Sequence, residues 1–350
     1  MKKIKQELFG VKEIARRANV SIGTVDRVIH NRSGVSEKTR QKINEIIREL
    51  NYQPNILASR LASKKKYQIA ILIPKTSAET DFWEAPLKGV KRAEAEIKRF
   101  GIDVDTYFFD LKDRESFKKQ AKLLLKKKAD AVLLAPSFME EASEFTNACR
   151  KLNLPVVLID TNLPDQRGLC YIGPHMFYSG YQAAHLIAFG TDKKAKILFL
   201  NISEAQNDDQ VEQGFMSYFK DNKKNVAIEV LKITQTDIRS IEKNLATVFS
   251  KNKDIQSVFV TNSRVSSVAA WFEKSGIKNV LLIGYDILKE NVRFLEKGTI
   301  EFLICHKPEE QGYRGIMALY QTLVIGSPIE NVTFMPIDII TRDNYKFYTN

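Results

Sequence analysis

The chain has 350 residues, more than one domain ordinarily holds, and 44% of them are hydrophobic, enough for the cores of two or three folding units. Its net charge of +12 is uneven: residues 1 to 66 hold 16 lysines and arginines against 6 acidic residues, the rest 38 against 36. That asymmetry points to a basic module that meets a polyanion, and the lack of any run of about 18 apolar residues excludes a membrane-spanning helix.

The start, MKKIKQELFGVKEIARRANV, is basic but has no continuous apolar run and no small-residue cleavage site, so a cytoplasmic chain without a secretory signal is expected. Cys149, Cys170 and Cys305 form neither a CxxC pair nor a zinc-ligand spacing, and they are expected as small hydrophobes in a core. Val11, Ile14, Ala15 and Ala18 recur at three- and four-residue spacing and predict a short helix. Asn19-Val20-Ser21 reads as a tight turn, with Ser21 capping a second helix from Ile22 to about His30. There Val25, Val28 and Ile29 face inward, while Ile22, Gly23, Asp26, Arg27 and His30 share the outer face. After Asn31-Arg32-Ser33-Gly34, Ser36 caps a third helix whose Ile43, Ile46, Ile47 and Leu50 close a small core.

Over about fifty positions from Val11 the chain resembles the headpiece of the lactose-repressor (LacI/GalR) family, through VSxxTVxRV, GVSxxTRxxI and LNYxPNxxAxxLA in order. The resemblance implies a helix-turn-helix that reads double-stranded operator DNA as a homodimer. It places base readers at Ile22, Gly23 and Arg27, with Ser21, Thr24, Asp26, His30, Thr39 and Tyr52 in or beside the interface. Arg27 could hold guanine O6 and N7 bidentately or contact a phosphate; these readings remain open. Asp26 departs from the family's small hydroxyl residue, and either accepts from cytosine N4 or neutralises a nearby arginine.

Pro54 blocks the preceding helix and Asn55 can cap a short new one to about Ala62. The resemblance makes this the hinge helix, with small Ala58 allowing two copies to approach in the minor groove and Leu61 wedging between base steps. Two turns are too short to persist alone in water, so the hinge is expected to form only on DNA. The organisation expected is a helix-turn-helix over residues 1–53, a hinge and linker over 54–66, and a ligand-binding and dimerisation domain over 67–350.

From Tyr67 onward, YQIAILIP, DVDTYFFD, DAVLLAP, PVVLIDT, LCYIGP, KILFLNI, VAIEVLKI, SVFVTN, VLLIGYD and FLICHK alternate with helical stretches. Their continuous apolar runs suit parallel strands covered on both faces, and ten strands suggest two sheets in a two-lobed α/β domain. Ligands bind at the carboxyl ends of such strands, which are Lys75 to Trp83, Pro136-Ser137, Asp160, Asn262 to Arg264, Asp286 and His306. Residues 67 to 340 resemble the type I periplasmic sugar-binding fold, by Phe82-Trp83, Asn262, the GYD ending at Asp286, and KPEEQGYRG. The resemblance implies that Phe82 and Trp83 stack on a sugar ring, that Asn262 and Asp286 bond hydroxyls, and that Ser137 lines the site. Asp286 could instead cap the helix that follows it.

Three departures from the family bear on charge: Asp209 lies where an arginine is frequent, Arg264 where a neutral or acidic residue is, and His306 where an amide is. Arg264 could pair with an anionic group of the effector or with Asp209. No phosphate loop, GxGxxG or GxSxG occurs, and His30, His175, His185 and His306 lack metal-ligand spacing, so neither enzyme nor cofactor is expected. A sugar-binding receptor without a DNA role is the rival reading. No leucine-heptad tail follows Arg342, so a dimer rather than a tetramer is expected.

Overall fold

The computed structural model describes residues 10–29, 31–50, 52, 65–77, 81–163, 170–191, 196–203, 209–222, 224–328 and 330–348. Contacts divide the chain into two compact units, Met1–Lys64 and Lys65–Asn350.

In the first unit, α1 (Val11–Ala18), α2 (Ile22–Ile29) and α3 (Glu37–Glu49) pack around buried Ile14, Ala15, Ala18, Val25, Val28, Ile43 and Ile46. Ile29, Ile47 and Leu50 are partly buried against this core, so the apolar stripes run as their spacing predicts. Asn19, at φ 56°, ends α1 in the left-handed region. Ser21 and Ser36 each cap the next helix, their Oγ atoms accepting from the N–H of Thr24 at 3.1 Å and of Thr39 at 3.3 Å. Arg40 clamps the loop between α2 and α3, donating to Asn31 Oδ1 at 2.9 Å and to the Arg32 carbonyl at 2.8 Å.

In the second unit β1 (Tyr67–Pro74), α4 (Glu84–Ile97), β2 (Ile102–Phe109), α5 (Arg114–Lys126), β3 (Ala131–Leu134), α6 (Met139–Lys151), β4 (Val156–Ile159) and β5 (Cys170–Gly173) alternate. The pattern then repeats as α7 (Met176–Gly190), β6 (Lys196–Ile202), α8 (Gln210–Asp221), β7 (Ala227–Ile233), α9 (Ile238–Lys251), β8 (Ile255–Val260), α10 (Val265–Ser275), β9 (Leu281–Tyr285), α11 (Lys289–Glu296) and β10 (Phe302–Cys305). Helix α12 (Pro308–Tyr320) and the short strands β11 (Val332–Phe334) and β12 (Asp338–Ile340) follow.

All ten runs singled out in the sequence form strands, in two sheets ordered β11-β5-β4-β3-β1-β2 and β12-β10-β9-β8-β6-β7. Strands β3 and β4 are wholly buried, whereas the edge strands β2 and β7 carry exposed positions, since only inner strands are covered on both faces and between neighbours. Pairing is parallel except between β10 and β12. The chain changes lobe three times: after β5, after β10, where α12 returns to pack on α4, and between β11 and β12. Cys149, Cys170 and Cys305 are buried as free thiols.

In each lobe a helix pair is brought into contact through glycines. A Cβ on Gly89 of α4 would lie 1.8 Å from the Glu309 carbonyl oxygen of α12, and one on Gly180 of α7 would lie 2.0 Å from that of Val211 in α8. Backbone cannot retreat as a flexible side chain can, so Gly89→Ala is expected to cost about 1–3 kcal/mol by overpacking. A urea denaturation curve checks this, and an unchanged midpoint would show that the helices slide apart freely.

Candidate functional site

On the first unit, the outer face of α2 presents exposed Ile22, Gly23 and Arg27, with Ile22 49% accessible despite being apolar. Val25 and Val28 are buried on the opposite side, so the same packing that seats α2 leaves this face outward. Thr24 is half-buried, and its Oγ1 shares a 2.9 Å hydrogen bond with Ser21 Oγ; Thr39 and Ser36 repeat the arrangement at 2.8 Å. Asp26 accepts from Arg32 Nη1 at 3.1 Å, which is the neutralising arrangement rather than an acid standing alone. Tyr52 is half-buried against the helical core. His30, Asn55, Ala58 and Leu61 lie outside the described residues.

On the second unit, the carboxyl ends of both sheets border one cavity of about 390 Å³, within the range of small-molecule sites. Each sheet has its topological switch between a first strand and its two neighbours, β1 in one lobe and β6 in the other. All eight residues expected at the ligand line this cavity: Phe82, Trp83, Ser137, Asp209, Asn262, Arg264, Asp286 and His306. Phe82 and Trp83 meet edge to face, centroids 4.9 Å apart, and Trp83 is buried.

Asn262 spends half its amide on the scaffold. Its Nδ2 donates to the Ile202 carbonyl at 2.6 Å and its Oδ1 accepts from the Arg264 N–H at 3.1 Å, fastening the end of β8 to that of β6. One N–H and one lone pair remain for a ligand. Asp209 lies 3.9 Å from Lys232, whose closer partner is Glu212 at 2.9 Å.

Asp286 does not cap α11, whose cap residue is Leu288 without a side-chain bond. The turn is instead held by buried Asn291, whose Nδ2 donates to the carbonyls of Tyr285 at 2.9 Å and Asp286 at 3.0 Å. The Asp286 carboxyl is thereby left to the cavity. Asp160 is its counterpart in the other lobe: Asp160 follows β4, Asp286 follows β9, and both sit in the left-handed region at φ 68° and 70°. Aspartate tolerates that conformation better than larger residues do. Thr161 Oγ1 donates to Asp160 at 3.2 Å, and the Asp160 N–H donates to Gln311 Oε1 at 2.9 Å. Gln311 Nε2 in turn donates to the His306 carbonyl at 2.8 Å.

Burial pushes the Asp160 carboxyl up to about 6. Burial, followed by the charge of Asp160, raises Asp286 well above the ordinary carboxylate range. His306 is pulled down to about 4 by burial, so it is neutral at pH 7. Its Nε2 lies 2.7 Å from Ser179 Oγ, which is 2.8 Å from the Tyr285 hydroxyl. If Tyr285 donates to Ser179 and Ser179 to His306, every buried hydroxyl proton has an acceptor, and the imidazole carries its own proton on Nδ1. Sequence reasoning missed Asn291 and Ser179, whose partners are chosen by the fold and marked by no local pattern, and it gave Gln311 no role although the residue lies within KPEEQGYRG.

Comparison with known proteins matches residues 69–327 to the family model described as periplasmic binding protein domain, and residues 10–55 to that of bacterial regulatory proteins, lacI family. Catabolite control protein A of Staphylococcus xylosus is 32% identical over 155 residues, 44% of each chain. HTH-type transcriptional regulator RegA of Clostridium acetobutylicum is 30% identical over 151 residues, 43% of each. The match thus spans less than half the length of these curated relatives. A structure assigned as a LacI transcriptional regulator from Bacteroides fragilis is similar at a TM-score of 0.74 and 27% identity, over 81% of this chain and 100% of that one. A glucose-galactose binding protein from Geobacillus stearothermophilus shares the fold, with a TM-score of 0.70 and 24% identity over 80% of this chain and 99% of that one.

A carboxyl with a raised folded-state pKa costs stability where it is ionised. The penalty is complete above the folded value and absent below the unfolded one. For Asp160, which shares the cavity with Asp286, His306, Arg264 and the Lys75–Asp110 pair, that window runs from about 6 down to the ordinary value of 3.8. Asp160→Asn is therefore expected to raise the melting temperature at pH 7.5 by about 2–4 °C, with the gain vanishing near pH 4. Thermal denaturation across pH checks it, and a gain independent of pH would remove ionisation as the cause.

Proposed function

The chain belongs to the periplasmic binding protein domain family and carries a lacI-type regulatory segment before that domain; from this premise we propose that it is a cytoplasmic, homodimeric regulator of transcription, most simply a repressor. Its operator affinity is set by a small carbohydrate-like molecule held between the lobes. The observation that carries the reading is the presence, in one chain, of an outward α2 face bearing Ile22, Gly23 and Arg27 and a cavity with polar groups at the ends of both sheets.

In this reading α2 enters the major groove, one copy per half-site. Arg27 reaches a guanine edge or a phosphate, and Ile22 covers a thymine methyl. Asp26 is tolerated near phosphates because Arg32 shares its charge. The segment 54–66 acts as the hinge, forming a helix when two copies lie together on DNA, with Leu61 between base steps. Ligand binding changes the angle between the lobes, and hence the pairing of the hinges. The coupling is reciprocal, so an effector that weakens operator binding is itself bound less tightly by the DNA complex in the same proportion.

The test is gel-shift titration of genomic fragments at several salt concentrations. A sequence-selective complex that weakens with salt is expected, and Arg27→Ala should lower specific affinity by about 5- to 150-fold while relaxing selectivity at one base pair. An even loss across all sequences would make Arg27 a phosphate contact. Absence of any selective complex would overturn the regulator reading in favour of a receptor without a DNA role.

A further inference from the structure

The two carboxyl groups facing the cavity have an unmet requirement. Asp286 is 7% exposed, yet neither it nor Asp160 has a cation within ion-pair distance among the described residues. Among the cations that line the cavity, Lys75 is 2.9 Å from Asp110, and Arg264, beyond the end of β8, is not an ion-pair partner of either aspartate. Asp286 is buried with no side-chain donor among the described residues, and half-buried Asp160 has only Thr161 Oγ1 at 3.2 Å. A carboxylate short of donors and counter-charge is costly, and the charge of Asp160 adds to the cost at Asp286.

The placement is mirrored rather than incidental. Each lobe delivers one aspartate from the carboxyl end of an inner strand, through the same left-handed turn, into the same cavity. A group that satisfies both must touch both lobes. Beside them, with Tyr285 donating to Ser179 and Ser179 to His306, the neutral imidazole would keep an N–H on Nδ1 that requires an acceptor such as a hydroxyl oxygen. Phe82 and Trp83 supply an aromatic wall that accepts an apolar ring face or a nearby cation.

We propose that the ligand of this cleft is a cationic, hydroxyl-bearing molecule of the amino-sugar class, its ammonium set between Asp160 and Asp286 and bridging the two lobes. This rests on the reading of the cleft as a carbohydrate-type site and adds the charge of its occupant. A neutral sugar gives the aspartates hydroxyl donors but leaves their repulsion in place. An ammonium gives up to three donors and a positive charge, so its binding lowers the raised Asp286 value and favours release of a proton.

The test is isothermal titration calorimetry of the full chain at pH 7.5. The probes are D-glucosamine, D-galactosamine and D-mannosamine, their parent sugars, N-acetyl-D-glucosamine, glucose 6-phosphate and putrescine. At least one amino sugar is expected to bind tenfold or more tightly than its parent and its uncharged or anionic analogues. Repeating the titration in buffers of different ionisation enthalpy should show proton release. Asp160→Asn should abolish the preference for the amine without unfolding the chain, as thermal denaturation verifies. A neutral sugar or a sugar phosphate that binds as tightly as the amine overturns the inference while leaving the carbohydrate reading intact. Binding of putrescine alone supports the cation between the aspartates and overturns the carbohydrate reading. No binding by any probe overturns both.

Discussion

A parallel sheet brings the carboxyl ends of all its strands to one rim, and the second unit sets two such rims around a single cavity. Strand-end turns therefore carry the chemistry, while the strands themselves are spent on burial. Three crossings link the lobes at 173–176, 305–308 and 334–338, so neither lobe is a separate stretch of chain. The last two crossings carry a pair of charges, Lys307 and Asp338 at 3.0 Å. Small changes in the angle between lobes must pass through these segments, which suits a domain whose ligand touches both rims.

The electrostatics of the cleft follow from this arrangement. Asp160 and Asp286 come from different lobes, and the charge of Asp160 adds to the cost of ionising Asp286, while His306 is neutral and held by Ser179. An occupant that satisfies the acids stabilises a particular separation of the lobes. The lobe angle then shifts only by the difference in ligand affinity between the two arrangements, the requirement for a ligand to shift a conformational equilibrium. The basic unit at the other end of the chain converts that preference into affinity for DNA in the proposed regulator.

Much of this was legible in the sequence, for physical reasons. Inner parallel strands are apolar on both faces, so runs such as AVLL and VVLI stand out, and the rule that ligands sit at strand ends led from those runs to seven of the eight expected cleft residues, Asp209 coming from the family resemblance. The three helices of the first unit were equally plain, because a small core needs strict three- and four-residue spacing. Strands β11 and β12 were not visible: three residues each, with exposed or half-exposed positions, leave no pattern. The pairing of Gly89 with Glu309, the seat of His306 on Ser179 and the turn held by Asn291 join residues whose proximity only the folded chain creates. Asp160 was visible as a strand end but not as the partner of Asp286, since nothing local in either segment refers to the other. For Asp26 the sequence left two environments open, and in the DNA-free chain it accepts from Arg32.

In the free cleft the charge of Asp160 adds to the cost of ionising buried Asp286. Carbon-13 NMR titration of aspartate side-chain carboxyls in the ligand-free chain tests this, with Asp160→Asn and Asp286→Asn assigning the two signals. One signal titrating near 6 and a second well above the ordinary carboxylate range, with the Asp286 value falling when Asp160 is replaced, is the expected result. Two signals titrating independently near the ordinary carboxylate value would contradict the account.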